Sequence, residues 1–311
     1  MVIHQALAHP QDPRKALQDL TQRAAQYCIN LDGYVFKDNT FLLRGGSGIV
    51  FPGTMVNEAG ATDSDLRSGQ KVAIKIPRAG PPNTDANIKK FLKEVHVWSK
   101  LKHPNILPLL GITTEFDLTV SIVSPWMNKG NAHDYVQNKA VDPRPLIKGT
   151  AHGLHYLHNH SPSAIFHGDL KGINVLISDN GQALLSDFGF SLLVNSSFSM
   201  TLSNHGGTKG TLMWKSPQIL EGGEVSAESD VWAFGMTVLE LFTRKNPFHS
   251  MPTAAAIMFK IITGMPDRPS VSDTCKRMTN EWWDICTRCW EHNPTSRPTM
   301  MDIIEVLKMI N

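Results

Sequence analysis

The spacing of apolar positions changes character once along the chain, near residue 127. Upstream, apolar residues come in short β-branched or aromatic runs bounded by Gly, Asn or Asp: Val35-Phe36, Phe41-Leu42-Leu43, Ile49-Val50-Phe51, Val72-Ala73-Ile74 and Leu118 to Val123. Such runs predict strands. Two stretches depart from this pattern. Pro13 to Cys28 puts Ala16, Leu17, Leu20, Ala24 and Cys28 on one side of a helix, and Thr84 to Lys100 repeats Ile88, Phe91, Leu92, Val95 and Trp98 at helical intervals. The polar stretch Val56 to Gln70 predicts a loose insertion between strands. From Asn131 onward the period is helical: Pro145 to His158, Ser229 to Leu241, Ala254 to Ile262, Glu281 to Trp290 and Met300 to Ile310. Ser229 to Leu241 is nearly all apolar, as a helix buried on every side would be. The expected fold class is therefore α+β, a strand-rich half with one main helix followed by a mostly helical half. The join is expected near Met127 to Gly130, where Asn128, Lys129 and Gly130 can act as a hinge.

Composition narrows the function without naming it. A chain of 311 residues, 41% hydrophobic and 19% charged, is long enough for one large or two modest cores. A net charge of +2 gives no field for nucleic acid or an anionic membrane, so neither partner is expected. The most apolar stretch, Val231 to Phe242, is too short for membrane insertion and contains Glu240. Met1 to Asp12 lacks a basic-then-apolar signal pattern. Four cysteines suggest no disulfide framework, and the expected location is cytoplasmic. Cys286-Thr287-Arg288-Cys289 has no second pair to complete a zinc site and fits helical core spacing. His152, His155 and His158 recur every third residue and are expected on a solvated face.

The chemistry concentrates in His167-Gly168-Asp169-Leu170-Lys171-Gly172-Ile173-Asn174 and in Asp187-Phe188-Gly189. Between them, Val175-Leu176-Ile177 and Ala183-Leu184-Leu185 are joined by Ser178-Asp179-Asn180-Gly181, a hairpin pattern. A tight hairpin draws Asp169, Lys171, Asn174 and Asp187 into one small volume. Two carboxylates, an amide oxygen and an ammonium suit magnesium-assisted phosphoryl transfer: oxygen ligands for a hard cation, an acceptor for a hydroxyl proton, and positive charge beside the phosphate. Gly45-Gly46-Ser47-Gly48, between two strands, can fold backbone N–H groups over phosphates. Lys75 closes an apolar strand, and Glu94 on the Thr84 to Lys100 helix is its candidate partner.

In this order, the glycine turn, Ala73-Ile74-Lys75, Glu94, the His-x-Asp-x-Lys-x-x-Asn run and Asp187-Phe188-Gly189 resemble the eukaryotic protein kinase signature set over residues 34 to 310. His103-Pro104-Asn105-Ile106-Leu107 and Cys289-Trp290 resemble the tyrosine-kinase-like branch, with fungal members similar in wording. The resemblance implies a two-lobed kinase fold: an N-terminal helical extension over 1–33, a β-rich lobe over 34–127 and a helical lobe over 128–311. It also implies roles. Lys75, paired with Glu94, would hold the α- and β-phosphates of ATP. Asp169 would accept or orient the substrate hydroxyl, Lys171 would neutralise the moving phosphoryl group, and Asn174 and Asp187 would ligate Mg2+ or Mn2+. Gly45, Gly46, Ser47 and Gly48 would cover the phosphates, and Val50, Ala73 and Leu176 would enclose adenine. Ser124 would be a small gatekeeper, with Pro125 and Met127 bonding adenine through their backbones. Phe188 and His167 would stack with Trp98 and Leu109. Thr211, in Gly210-Thr211-Leu212-Met213-Trp214, would bond Asp169 and Lys171. Together with Lys171 it implies a protein substrate with a Ser or Thr acceptor. Asp230 would anchor the backbone around Asp169, and Arg297 would be a late structural arginine. Ser191, Ser196, Ser197, Ser199, Thr201, Ser203 and Thr208 are candidate phosphosites.

Three positions depart from that pattern. Leu43 replaces the first loop glycine. Gly168 replaces the arginine before Asp169, which implies activity largely independent of activation-segment phosphorylation. Gln218 replaces the glutamate that pairs with Arg297. These departures keep a rival open, a pseudokinase that binds nucleotide or docks a partner without transferring phosphate.

Overall fold

The structure, a computed structural model, describes residues 13–44, 48–57, 68–77, 85–117, 119–188, 192–193 and 209–310. Gly45, Gly46, Ser47, Gly189, the seven candidate phosphosites and most of the expected insertion lie outside the described residues. The chain forms two compact units. The first is Met1–Leu101 with Pro108–Trp126, and the second is Lys102–Leu107 with Met127–Asn311.

The first unit is built on a six-stranded antiparallel sheet. Its strands are β1 (Val35–Lys37), β2 (Leu43–Arg44), β3 (Gly48–Met55), β4 (Gln70–Pro77), β5 (Gly111–Thr113) and β6 (Ser121–Pro125). Their order is β1-β3-β4-β6-β5, with β2 on β3. One face is closed by Val35, Val72, Ile74, Ile76 and Val123, against which Leu31, Phe51, Met55, Leu110 and Phe116 pack. Strand β5 escapes sequence reading because Gly111-Ile112-Thr113 has a single large apolar residue. Of the expected Phe41-Leu42-Leu43 strand only Leu43 is paired, and all three side chains are exposed.

Helix α1 (Pro13–Ala24) ends four residues short of the expected Cys28. It buries Leu20 and Ala24 and packs on α2 (Asp85–Ser99), the helix that carries Glu94. The Tyr27 ring meets His96 edge-on at 4.5 Å. The chain after α1 is stitched to the sheet. Leu31 N–H donates to Ile112 O at 2.7 Å, and Asp32 accepts from the Thr113 and Thr114 hydroxyls and from Thr114 N–H.

The second unit is helical. It contains α3 (Ala132–Tyr135), α4 (Arg144–His158), α5 (Lys209–Leu212), α6 (Pro217–Leu220), α7 (Ala227–Thr243), α8 (Ala254–Thr263), α9 (Asn280–Cys289) and α10 (Met300–Met309). Two short antiparallel pairs join them: β7 (Ile165–Phe166) with β10 (Leu192–Leu193), and β8 (Val175–Ile177) with β9 (Ala183–Leu185), the second a hairpin. As its pattern predicts, α7 buries every residue from Ser229 to Phe242. A capping box between Ser226 and Ser229 starts it, which satisfies two otherwise orphaned N–H donors. Helix α9 packs on α7, α10 on α4, and α4 on β9. Cys286 and Cys289 are wholly buried in α9, and burial pushes the Cys289 thiol up to about 12. Among the described residues, no group of three or more His, Cys, Asp or Glu could hold a metal, and no helix is long and apolar enough to cross a membrane.

Candidate active site

The β8–β9 hairpin forms as expected. Its register sets Val175 opposite Leu185, so Asn174 and Ser186 meet at its open end. Ser186 N–H and its hydroxyl both donate to Asn174 O, at 2.9 Å each. Asn174 and Asp187 therefore leave the same end of one hairpin. Asp187 has a left-handed backbone, φ +63°, a conformation that non-glycine residues adopt sparsely.

Asp169 lies at the centre of a tight polar cluster. Its Oδ2 accepts from Lys171 Nζ at 2.7 Å and from Asn174 Nδ2 at 3.0 Å. Asn174 Nδ2 also donates to Asp169 O at 2.7 Å. The Asn174 amide nitrogen is thus committed to Asp169, and its oxygen is the end that could take a cation. Lys171 donates a second bond to Thr211 Oγ1 at 3.1 Å. The expected bond from Thr211 to Asp169 is not found among the described residues; the two are joined through Lys171, which donates to both. The other carboxylate oxygen, Asp169 Oδ1, is 4.0 Å from Lys215 Nζ.

The backbone under this cluster is held from α7. Asp230, buried in the helix, accepts from His167 N–H at 2.7 Å, Gly168 N–H at 2.8 Å and His158 Nε2 at 3.1 Å. Burial opposes ionisation of Asp230, but the His158 bond and the charges and N–H groups around it leave its carboxyl below the ordinary range. His158 is therefore not on a solvated face as expected; it is the carboxylate's side-chain partner. His167 Nε2 lies 3.0 Å from Ser186 O, and its ring packs on Phe188 with centroids 5.6 Å apart.

Glu240, ten residues further along α7, stands in the sequence only as a break in an apolar run, yet it braces the backbone beside the cluster. It is 1% exposed and accepts from Gly172 N–H and Trp214 Nε1, each at 2.9 Å, and lies 2.7 Å from His133 Nδ1. A Cβ on Gly172 would strike that carboxylate, so only glycine allows this approach. A carboxylate inside an all-buried helix must find partners, and that signal was available in the sequence.

In the first unit, Lys75 Nζ donates to Glu94 Oε1 at 2.6 Å, joining β4 to α2. The β-register sets Val50 opposite Lys75 and Ala73 opposite Ser124, whose side chain is buried. Pro125 ends β6 opposite Val72, and Met127 opens the second unit. Leu176 pairs with Leu184 across the hairpin.

A sheet with one helix bearing a Lys–Glu pair, and a helical unit bearing an Asp–Lys–Asn cluster, define the protein kinase class. The chain belongs to the protein tyrosine and serine/threonine kinase family, whose model matches residues 38–307. It is 30% identical over 232 residues to mitogen-activated protein kinase kinase kinase 7 of Drosophila melanogaster, covering 72% of this chain and 32% of that protein. It is also 30% identical over 266 residues to mitogen-activated protein kinase kinase kinase 2 and to mitogen-activated protein kinase kinase kinase ANP1 of Arabidopsis thaliana, covering 84% of this chain and 39% and 38% of theirs. The chain thus spans about a third to two fifths of the length of these relatives. The expected tyrosine-kinase-like branch and two-lobed α+β fold stand with this membership.

Proposed function

We propose that the chain is a serine/threonine protein kinase that moves the γ-phosphoryl group of ATP to a Ser or Thr hydroxyl of a protein. The observation that carries this reading is the convergence of Lys171 and Asn174 on one oxygen of Asp169, with Thr211 on the same lysine. The substrate oxygen forms the new bond to phosphorus as the bond to the ADP oxygen breaks, and the hydroxyl proton passes to the Asp169 carboxylate. Lys171 offsets charge on the phosphoryl oxygens, an electrostatic contribution prepared before the reaction begins. Lys75, oriented by Glu94, binds the α- and β-phosphates. Gly45, Gly46, Ser47 and Gly48 cover them, and Val50, Ala73, Leu176, Ser124, Pro125 and Met127 receive the adenine. Asn174 and Asp187 would supply one amide and one carboxylate oxygen, the kind of sparse hard-oxygen donor set that suits Mg2+ sharing its remaining positions with phosphate and water. When bound, the cation neutralises phosphate charge.

Leu43, 52% exposed at the first glycine position of the loop, favours the rival reading of a docking module with little transfer. Radiolabelled ATP with Mg2+ and a generic protein substrate separates the two. Wild type is expected to label Ser and Thr, and Asp169→Asn to label them at least about a hundredfold less. Equal labelling by the two proteins would support the docking module.

A further inference from the structure

Lys215 lies between Trp214 and Ser216, at the end of the segment that also supplies Thr211. A lysine before Ser-Pro has the bland reading of a solvated side chain. Its surroundings argue otherwise. The ammonium donates to Gly168 O at 2.8 Å and lies 4.0 Å from Asp169 Oδ1. Gly168 has φ +76°, a left-handed backbone next to the proposed base, at the residue type with the most freedom to leave it. Its N–H is fixed by Asp230 and its carbonyl by Lys215. Asp169 meets groups on both sides: Oδ2 is hydrogen-bonded by Lys171 and Asn174, and Oδ1 faces the Lys215 ammonium at 4.0 Å, an ion pair without a hydrogen bond. A carboxylate gripped at one oxygen can still rotate about its last bond, and a cation at the other oxygen opposes that rotation.

We propose that Lys215 is a positioning residue for phosphoryl transfer, pinning the Gly168 peptide and the free side of the Asp169 carboxylate while tethering the Thr211–Trp214 segment to them. This inference rests on the reading of Asp169 as the group that receives the hydroxyl proton. The tether has three points: Thr211 on Lys171, Trp214 on Glu240 and Lys215 on Gly168. None of them needs an added phosphate. Burial lowers the lysine's affinity for its proton, Lys171 adds to this, and Asp169 and Asp230 oppose it.

The test compares wild type, Lys215→Met, which keeps the apolar stem, and Lys215→Arg, which keeps the charge. In Lys215→Met, kcat is expected to fall about tenfold or more, because small misplacements near the reacting atoms are costly. KM for ATP should stay within about twofold, the split expected of a group that acts on the transition state alone. Lys215→Arg should regain part of the lost kcat. Hydrogen exchange supplies a readout independent of activity: amides in 167–172 and 209–216 should exchange faster in Lys215→Met while α9 and α10 keep wild-type protection. A Lys215→Met enzyme with wild-type kcat, or with unchanged exchange in 167–172, overturns the proposal. So does a loss of activity with exchange raised throughout the second unit and no recovery in Lys215→Arg, which marks a merely structural lysine. If Asp169→Asn transfers phosphate like wild type, the assignment of the base fails, and the exchange data still decide whether Lys215 pins the loop.

Discussion

Arg297 shows what a single residue can and cannot announce. The sequence predicts a buried arginine short of a partner, because Gln218 offers a neutral amide. The structure supplies other acceptors. Arg297 donates to Gln218 Oε1 at 3.0 Å, Glu228 O at 2.8 Å and Glu291 O at 2.9 Å, and its guanidinium lies 5.0 Å from the Trp232 ring centre. Main-chain carbonyls carry no side-chain signature, so no spacing rule could have revealed them. Burial still pulls the guanidinium down to about 10. Gln218 Nε2 is buried without a partner, which is costly for an amide donor. Gln218→Glu replaces that orphaned donor with an acceptor facing a cation. We expect the thermal midpoint to rise by about 2–4 °C, in line with about 1 kcal/mol in a chain this size. Scanning calorimetry that finds no rise would mean the carbonyls already satisfy Arg297. Lys215 was illegible for a related reason: its partner is the carbonyl of a glycine whose unusual backbone no pattern of side chains reports.

Among elements, those with long, strong periodicity were read well, the short strands β8 and β9 were read from their hairpin pattern, and short elements without a pattern, such as α3 and β5, were missed. Helices α2, α4, α7, α8, α9 and α10 fall within two residues of their expected ends, since several turns of apolar spacing leave little choice. Helix α3 has four residues and shows no period, yet it brings His133 to Glu240 on α7. This contact makes the join between the two helices depend on pH. The bond to Glu240 raises the His133 pKa above its ordinary value, burial opposes the rise, and Asp134 adds to it. A histidine that titrates higher when folded stabilises the fold fully below the unfolded value of about 6.5, and that contribution is lost as pH rises through the raised folded value. Urea unfolding between pH 6 and pH 9 is expected to show wild type losing stability over this window relative to His133→Phe, with a slope of at most one proton. Parallel curves for the two proteins would remove His133 from the account.

At the scale of the whole molecule, the two-lobed α+β class was legible because the apolar period changes once, and the kinase resemblance because its motifs occur in a fixed order. The bracing of the second unit's chemistry by Asp230 was implied by the resemblance, and what stayed hidden is the parallel part of Glu240, a second carboxylate on the same buried helix. If the chain handles nucleotide as proposed, ATP with Mg2+ must stabilise it by mass action. At roughly a hundred times the dissociation constant the gain is about 2.7 kcal/mol, or about 5–10 °C in thermal midpoint. EDTA should remove most of that shift, and so should Asp187→Ala. A midpoint indifferent to ATP and Mg2+ would count against both the kinase and the nucleotide-binding docking module.

The family match begins at residue 38, but the first unit does not. Leu20 and Ala24 lie closed inside it, and the strand-like stitches at Leu31 and Asp32 come before the matched span. Anyone who trims the gene to the recognised domain would strip away a helix that packs on the one presenting Glu94 to Lys75, together with the buried Leu20 and Ala24. The shortened product should be judged by its solubility before its silence in an assay is blamed on the catalytic machinery.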